Sequence, residues 1–184
     1  MRERTLVTVN GEQVPMPDPD RLVHLQFRRF AGCPVCNLHL RSILQRHDEI
    51  VAAGVREIVV FHSPAEELLR HTANLPFAVV ADPDKRLYVE FGVESSPRAL
   101  LNPKVWGTIV RAVFTGLVRR DPTPSAKPHG GRLGLPADFL IASDGRILAS
   151  KFGEHAYDQW TVDELIAHCR QSVSRKSAGE TIRE

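Results

Sequence analysis

The sequence predicts an α/β domain: a mixed β-sheet with helices packed on it. Three observations carry the prediction. Apolar, strand-like runs alternate with helix-like segments across residues 22–93, the order that builds a parallel sheet with covering helices. A strand–turn–strand–helix order from residue 135 onward adds antiparallel strands. Two of the three cysteines fall together in CPVC, residues 33–36, where a strand gives way to a helix.

Residues 1–20 read as a tail ending in the turn-forming PMPDPD. LVHLQF (22–27) is a short strand with apolar residues at alternating positions, and RRFAG is the loop after it. CPVCNLHLRSILQRHDEIVAAG reads as one helix. Leu38, Ile43 or Leu44, and Ile50 or Val51 recur at helical spacing, and Gly54 is a natural stop. VREIVVFHS (55–63) is a buried-type strand, because Val55, Ile58, Val59, Val60 and Phe61 cluster in a short run. SPAEELLRHTANL opens a second helix, with Ser63 as N-cap, Pro64 in the first turn and Glu66 completing a capping box. PFAVVADPD gives a third strand and a turn, and KRLYVEFGV a short helix.

Residues 98–131 interrupt this pattern as a helical insertion. NPKVWGTIVRAVFTGLVRR places apolar residues at 106, 109, 110, 113, 114 and 117 on one broad face, a helix over 104–120. DPTPSAKPHGG after it is a loop by composition. LPADFLIASDGRILASKFG reads as a β-hairpin turning at Ser-Asp-Gly-Arg. TVDELIAHCRQSV is a final amphipathic helix, with Thr161 and Glu164 as a capping box, and SRKSAGETIRE is a polar tail. The expectation is one domain over 1–184, with its core at about 18–172 and polar tails at both ends. A mixed sheet in this order, with a cysteine pair opening the first helix, is what a thioredoxin-like fold requires.

A chain of 184 residues buries a core without staples, and 42% hydrophobic with 25% charged residues fits an ordinary soluble globular protein. A net charge of +2 argues against a nucleic-acid partner. The inserted helix is too short and too charged to span a bilayer. MRERTLVTVNGEQVPMPDPD lacks the apolar core and cleavage site of a signal peptide, so a cytoplasmic location is expected. In a reducing compartment, a close cysteine pair points to catalysis or metal binding rather than to a structural staple.

Cys33 falls at the start of a helix, where first-turn N–H groups lack intrahelical partners and the helix dipole is positive. Both favour the thiolate. Pro34 suits the first turn because its missing N–H would be idle there. Cys36 follows one turn later on the same face, within reach of a mixed disulfide or sulfenic acid formed on Cys33. The strand–C-x-x-C–helix order is a redox signal. Two other readings stay open: a pair of buried small hydrophobes, or a metal site using Cys33, Cys36 and His39, with His62 as a fourth ligand. That metal reading lacks a second cysteine pair at zinc-ligand spacing, so no metal and no cofactor is expected. Cys169 lies on the apolar side of the last helix, as an inert core thiol.

Gly134-Leu135-Pro136-Ala137-Asp138 places a proline directly before a buried strand, where it need not donate to the ladder. A trans bond suits such a position. A cis Leu135–Pro136 bond would instead set a tight bend facing the cysteines, with the Leu135 carbonyl and N–H beside Cys33 to hold an extended substrate.

FRRFAGCPVC with its helix, VVADPDKRLYVEFGV, and GGRLGLPADFLIASDGRILASKFG, in this order, resemble the peroxiredoxin-like branch of the thioredoxin superfamily. More narrowly, the chain resembles the AhpC/TSA-type "peroxiredoxin-like 2" proteins, which carry C-x-x-C in place of the usual peroxidatic motif. The likeness covers roughly residues 18–170. It implies a thioredoxin fold, a redox-active C-x-x-C and a cis-proline, here Pro136. The departures are specific. Thioredoxins carry Trp before the first cysteine, and this chain has Gly32. Peroxiredoxins carry P-x-x-x-T-x-x-C. Aligned on Cys36, Cys33 and Arg29 stand in the threonine and proline places; aligned on Cys33, Phe30 and Gln26 do. Neither register supplies the hydroxyl that orients a peroxide. Arg132 is the candidate cation for a leaving hydroxide, with Arg28 or Arg29 as substitutes.

The resemblance implies a thiol-dependent oxidoreductase that reduces disulfides or peroxides, with Cys33 as nucleophile and Cys36 as resolving thiol. Leu135, Pro136 and Arg132 are its expected substrate contacts. Electrons would come from a thioredoxin-type protein or a low-molecular-weight thiol. The apolar face of the inserted helix is a candidate homodimer patch. The alternative is a non-enzymatic thioredoxin-fold binding module that uses the Pro136 face and the 104–120 helix, since a fold does not guarantee an activity.

Overall fold

Three apolar runs form the parallel half of the sheet in the computed structural model, which describes residues 1–72, 74–93, 103–119, 121–123, 125 and 128–180. They are β3 (Leu22–Arg28), β4 (Val55–Phe61) and β5 (Ala78–Ala81). β3 pairs in parallel with β4, and β4 with β5. The predicted hairpin supplies β6 (Ala137–Ile141) and β7 (Ile147–Phe152), both antiparallel to their neighbours. The resulting order, β5-β4-β3-β6-β7, is the mixed sheet of a thioredoxin-like fold. β3 lies at its centre, so the loop leaving β3 emerges at the middle of the sheet.

The helices are α1 (Pro34–Gln45), α2 (His47–Ala52), α3 (Ala65–Thr72), α4 (Arg86–Glu90), α5 (Pro103–Arg119) and α6 (Val162–Glu180). The capping box at α6 forms as expected. The Glu164 N–H donates to Thr161 Oγ1 at 3.2 Å, and the Thr161 N–H to the Glu164 carboxylate at 2.7 Å. The inserted helix α5 packs on α1 through Ala112 and Ile109, in one apolar cluster with Cys33, Cys36 and Leu40. Its outer stripe of Trp106, Val110, Val113, Phe114 and Leu117 is exposed. Within the predicted 98–131 insertion, residues 98–102, 120, 124, 126 and 127 lie outside the described residues. Among the described residues no helix is long and apolar enough to cross a membrane.

Four expectations are corrected. The first twenty residues are not a bare tail: Arg4–Val7 (β1) and Gln13–Met16 (β2) pair as an antiparallel hairpin. Leu6, Val14 and Met16 alternate inward and join the core beside Val23, Leu25 and Phe27. The Asn10–Gly11 dipeptide, with Gly11 at φ 81°, was the signal for its turn. The long first helix breaks at Arg46 (φ −118°, ψ 23°), whose guanidinium ties to Glu49 and Asp163. Ser63 does not act as the expected cap, because its hydroxyl accepts from the Ala31 N–H at 3.0 Å. At the other end SRKSAGE continues α6 to Glu180, since no breaker precedes Gly179.

Beneath α1 the sheet carries a fully buried polar cluster. His24, Gln26 and Arg28, on one face of β3, meet Glu57 of β4 and Asp138 of β6. Arg28 Nη2 donates to Asp138 at 2.6 Å, to Gln26 at 2.5 Å and to His39 Nε2 at 3.1 Å. The His24 ring lies 2.9 Å from Glu57 and 3.2 Å from Asp138. Burial alone would strip the proton from His24, but Glu57 and Asp138 outweigh it and raise the imidazolium to about 9. Two cations then face two carboxylates, and the buried cluster is neutral. His39, by contrast, is pushed well below the usual histidine range by burial and by the Arg28 charge.

These shifts predict that the His24 ring keeps its proton at pH 8 while His39 is already neutral at the ordinary histidine midpoint, as histidine-ring NMR titration will report. A pKa raised on folding makes His24's share of the stability complete below about pH 6.5. That share is lost as pH rises through about 9.

Candidate active site

Cys33 is the N-cap of α1 (φ −56°, ψ 115°), and its side chain takes the capping role. The Cys36 N–H points to Cys33 Sγ at 3.4 Å, and Pro34 occupies the first helical position. A cation completes the environment: Arg29 Nη1 lies 3.9 Å from the same sulfur. Burial alone would raise the Cys33 pKa. A hydrogen bond from the Cys36 thiol, the Arg29 charge, and the N–H groups of Cys36 and Val35 outweigh burial and bring Cys33 below the ordinary thiol range. Cys36 moves the opposite way, raised by burial and by the Cys33 sulfur beside it. The two thiols are therefore split into an incipient thiolate and a protonated donor, the asymmetry that one-sided attack requires.

Both sulfurs are enclosed, each residue only 1% exposed. Phe30, Phe61, Leu68 and Ala112 pack around them. Gly32, before Cys33, adopts φ 70°, and a Cβ there would fall 2.5 Å from the His71 ring. A side chain at the position that is Trp in thioredoxins would meet the α3 histidine here and would sit on a left-handed backbone. Pro136 heads β6, and its carbonyl accepts from the Gly153 N–H at 2.9 Å. The expected cis Leu135–Pro136 bond is corrected: among the described residues the cis peptide lies at Met16–Pro17. Pro136 extends the β6–β7 ladder by one residue, a position a trans bond serves.

The remaining predicted residues fall around this centre rather than in it. The Arg132 guanidinium donates to the Ser125 carbonyl and lies 5.6 Å over the Phe30 ring, while its backbone carbonyl accepts from Arg29 Nη2. Leu135 is half-buried. Arg28 belongs to the buried cluster, and His39, a candidate metal ligand from the sequence, is buried against it. Among the described residues no group of three His, Cys, Asp or Glu side chains is placed to hold a metal ion. Cys169 is a buried thiol whose pKa burial raises to about 11, in keeping with an inert role. Of the arginines weighed from sequence, Arg29 has its guanidinium at Cys33. Its place one residue beyond β3, four before the cysteine, was the available signal.

Gly32→Ala should destabilise the protein by about 1–3 kcal/mol, because a positive φ and a close ring contact act together. Denaturant unfolding of Gly32→Ala, His71→Ala and the double variant checks this. The double variant should recover the steric share and keep the backbone share.

Sequence and structure comparisons agree with this architecture. The family described as AhpC/TSA antioxidant enzyme matches residues 40–155. That span starts just past Cys33 and Cys36. Among curated proteins none matches. Solved structures similar over nearly the whole chain include the peroxidoxin BcpB of Mycobacterium tuberculosis, at 15% identity, 93% of this chain, 94% of that chain and TM-score 0.66. Peroxiredoxin Q of Xanthomonas campestris is similar at 15% identity, 91% of this chain, 90% of that chain and TM-score 0.62. StoA of Bacillus subtilis is similar at 17% identity, 91% of this chain, 96% of that chain and TM-score 0.56. At such identities these likenesses speak for the thioredoxin-like fold. The family match covers more than half of the sequence, and the chain belongs to the AhpC/TSA antioxidant enzyme family.

Proposed function

We propose that the protein is a thiol peroxidase that uses Cys33 as its nucleophile and Cys36 as its resolving thiol. The observation that carries the reading is the Cys33 sulfur, which caps α1 and has a guanidinium 3.9 Å away. Enclosure of both cysteines favours a small hydroperoxide over a bulky protein disulfide.

The chemistry balances with these groups. The Cys33 thiolate attacks the terminal oxygen of R–O–OH; the S–O bond forms, the O–O bond breaks, and the alkoxide leaves beside Arg29 and takes a proton from water. The Cys36 sulfur then attacks the Cys33 sulfenic acid. The S–S bond forms, the S–O bond breaks, and hydroxide leaves as water with the Cys36 proton. Two electrons have passed from the thiol pair to the peroxide. Two equivalents of a thiol donor, protein or low-molecular-weight, restore the dithiol through a mixed disulfide. A reducing cytoplasm, the location expected from the sequence, supplies either kind.

A dithiol–disulfide exchange role is the second reading. The C-x-x-C spacing at a helix start favours it, and the same attacking sulfur serves both. Leu135 and Pro136 remain candidate contacts for an extended substrate under this reading, and the Arg132 side chain a candidate rim contact.

One equivalent of peroxide should convert the reduced protein to a Cys33–Cys36 disulfide, seen by mass spectrometry as the loss of two hydrogens from that peptide. Cys36→Ser should accumulate a probe-trappable sulfenic acid on Cys33, and Cys33→Ser should be nearly inert. Trapping on Cys36 instead would assign the attack to the other sulfur. Slow reaction with peroxide but fast reaction with a disulfide would select the second reading.

A further inference from the structure

Residues 128–134 form a strap across the C-terminal ends of β3 and β4, and four side chains tie it down. Arg29 Nη2 donates to the Arg132 carbonyl. Lys85 Nζ donates to the Gly130 carbonyl at 2.9 Å, and His129 Nε2 to the Pro83 carbonyl at 3.3 Å. The fourth is His62, which is 0% exposed and whose Nδ1–H donates to the His129 carbonyl at 3.0 Å.

His62 is the buried prop of this strap. It follows β4 directly, and its N–H donates to the Arg29 carbonyl at 3.2 Å, so the two residues sit side by side at the ends of paired strands. Glycine at 130 and 134 makes room for the ring. A Cβ at Gly130 would stand 2.6 Å from Nδ1, and one at Gly134 would stand 3.2 Å from Nε2 and 3.7 Å from Arg29 Cγ. The Tyr88 ring closes another side, with centroids 5.8 Å apart. Nε2 is buried without a hydrogen-bond partner, so Nδ1 carries the proton and the His129 contact fixes the tautomer. Burial, helped by the Lys85 and Arg29 charges and opposed by the His129 carbonyl, pushes the imidazolium down to about 4. The ring therefore stays neutral, and the prop stays in place, throughout the neutral range.

We propose that His62 is a positioning residue for peroxide reduction: it fixes the 128–134 strap, the strap carbonyl at Arg132 holds one arm of Arg29, and the other arm is thereby held at Cys33. The effect on the sulfur passes through Arg29, and His62 need not touch the substrate. The proposal rests on Cys33 being the peroxide-attacking sulfur.

The test is the second-order rate of Cys33 oxidation by hydrogen peroxide in single-turnover experiments. His62→Phe keeps a ring and removes the N–H donor; it should slow oxidation about tenfold or more, as small misplacements of a catalytic group do. His62→Asn, whose amide can donate to the His129 carbonyl, should recover most of that loss. Arg29→Gln should be slow by itself, and adding His62→Phe to it should cost nothing further, because the two act in series. Gly134→Ala sets a methyl against Nε2 and Arg29 in an unstrained backbone; it should slow oxidation too, and it carries the test if His62→Phe does not fold. A folded His62→Phe as fast as wild type would overturn the proposal. So would multiplicative losses in the double variant, or an Asn variant no better than Phe. A wild-type Cys33 no faster with peroxide than a free thiol would overturn instead the reading on which the proposal rests.

Discussion

The Arg28–Asp138 pair, buried with His24 and Glu57, is the constraint on which the rest of the structure depends. It joins the parallel half of the sheet to the antiparallel hairpin at the central strand, and every member is almost wholly buried. Removing one partner from such a pair costs about 3–5 kcal/mol, because the other charge is left uncompensated in the core. Arg28, a member of the cluster, is the last residue of β3. One residue later comes Arg29, and four further on Cys33. His39 of α1 accepts from the same guanidinium, so the helix that presents the cysteines is tied to the strand that precedes them.

From that anchor the site follows by short steps. The helix start provides N–H groups, Arg29 provides charge, and enclosure by Phe30, Phe61 and α5 strengthens both by excluding water. The same enclosure works against ionisation of either thiol. Only Cys33, at the helix tip, has enough compensating partners to overcome it, and Cys36 one turn inward does not. The split between the two sulfurs is thus a consequence of their places on one helix, not of different chemistry.

Much of this was legible in the sequence where the determinants are local. The strand–helix alternation, the C-x-x-C at a helix start and the Thr161–Glu164 box each follow from residues within a few positions of one another. The misses are of another kind. His24, Gln26 and Arg28 alternate with apolar residues as a solvated strand face would, and their partners Glu57 and Asp138 lie far along the chain, 33 and 114 positions beyond His24. Asp138 carried no sequence signal of its own, and His39 stood in the sequence only as a possible metal ligand. Gly32 reads as an unexplained departure until His71 is seen over it. The cis bond expected at Pro136 came from family likeness alone, and the ladder there has no need of it. The Asn10–Gly11 turn is readable in a segment whose composition otherwise reads as tail.

The central claim is that Cys33 is ionised by the end of α1 together with Arg29. The most direct measurement is the thiolate ultraviolet absorbance of the reduced Cys169→Ser protein, titrated with and without Arg29→Gln. The account predicts two separated transitions, one below and one above the free-thiol midpoint of about 8.5, with the lower one moving up when Arg29 is replaced. Two thiols that ionise together near the free value, or a lower transition that ignores Arg29→Gln, would contradict it.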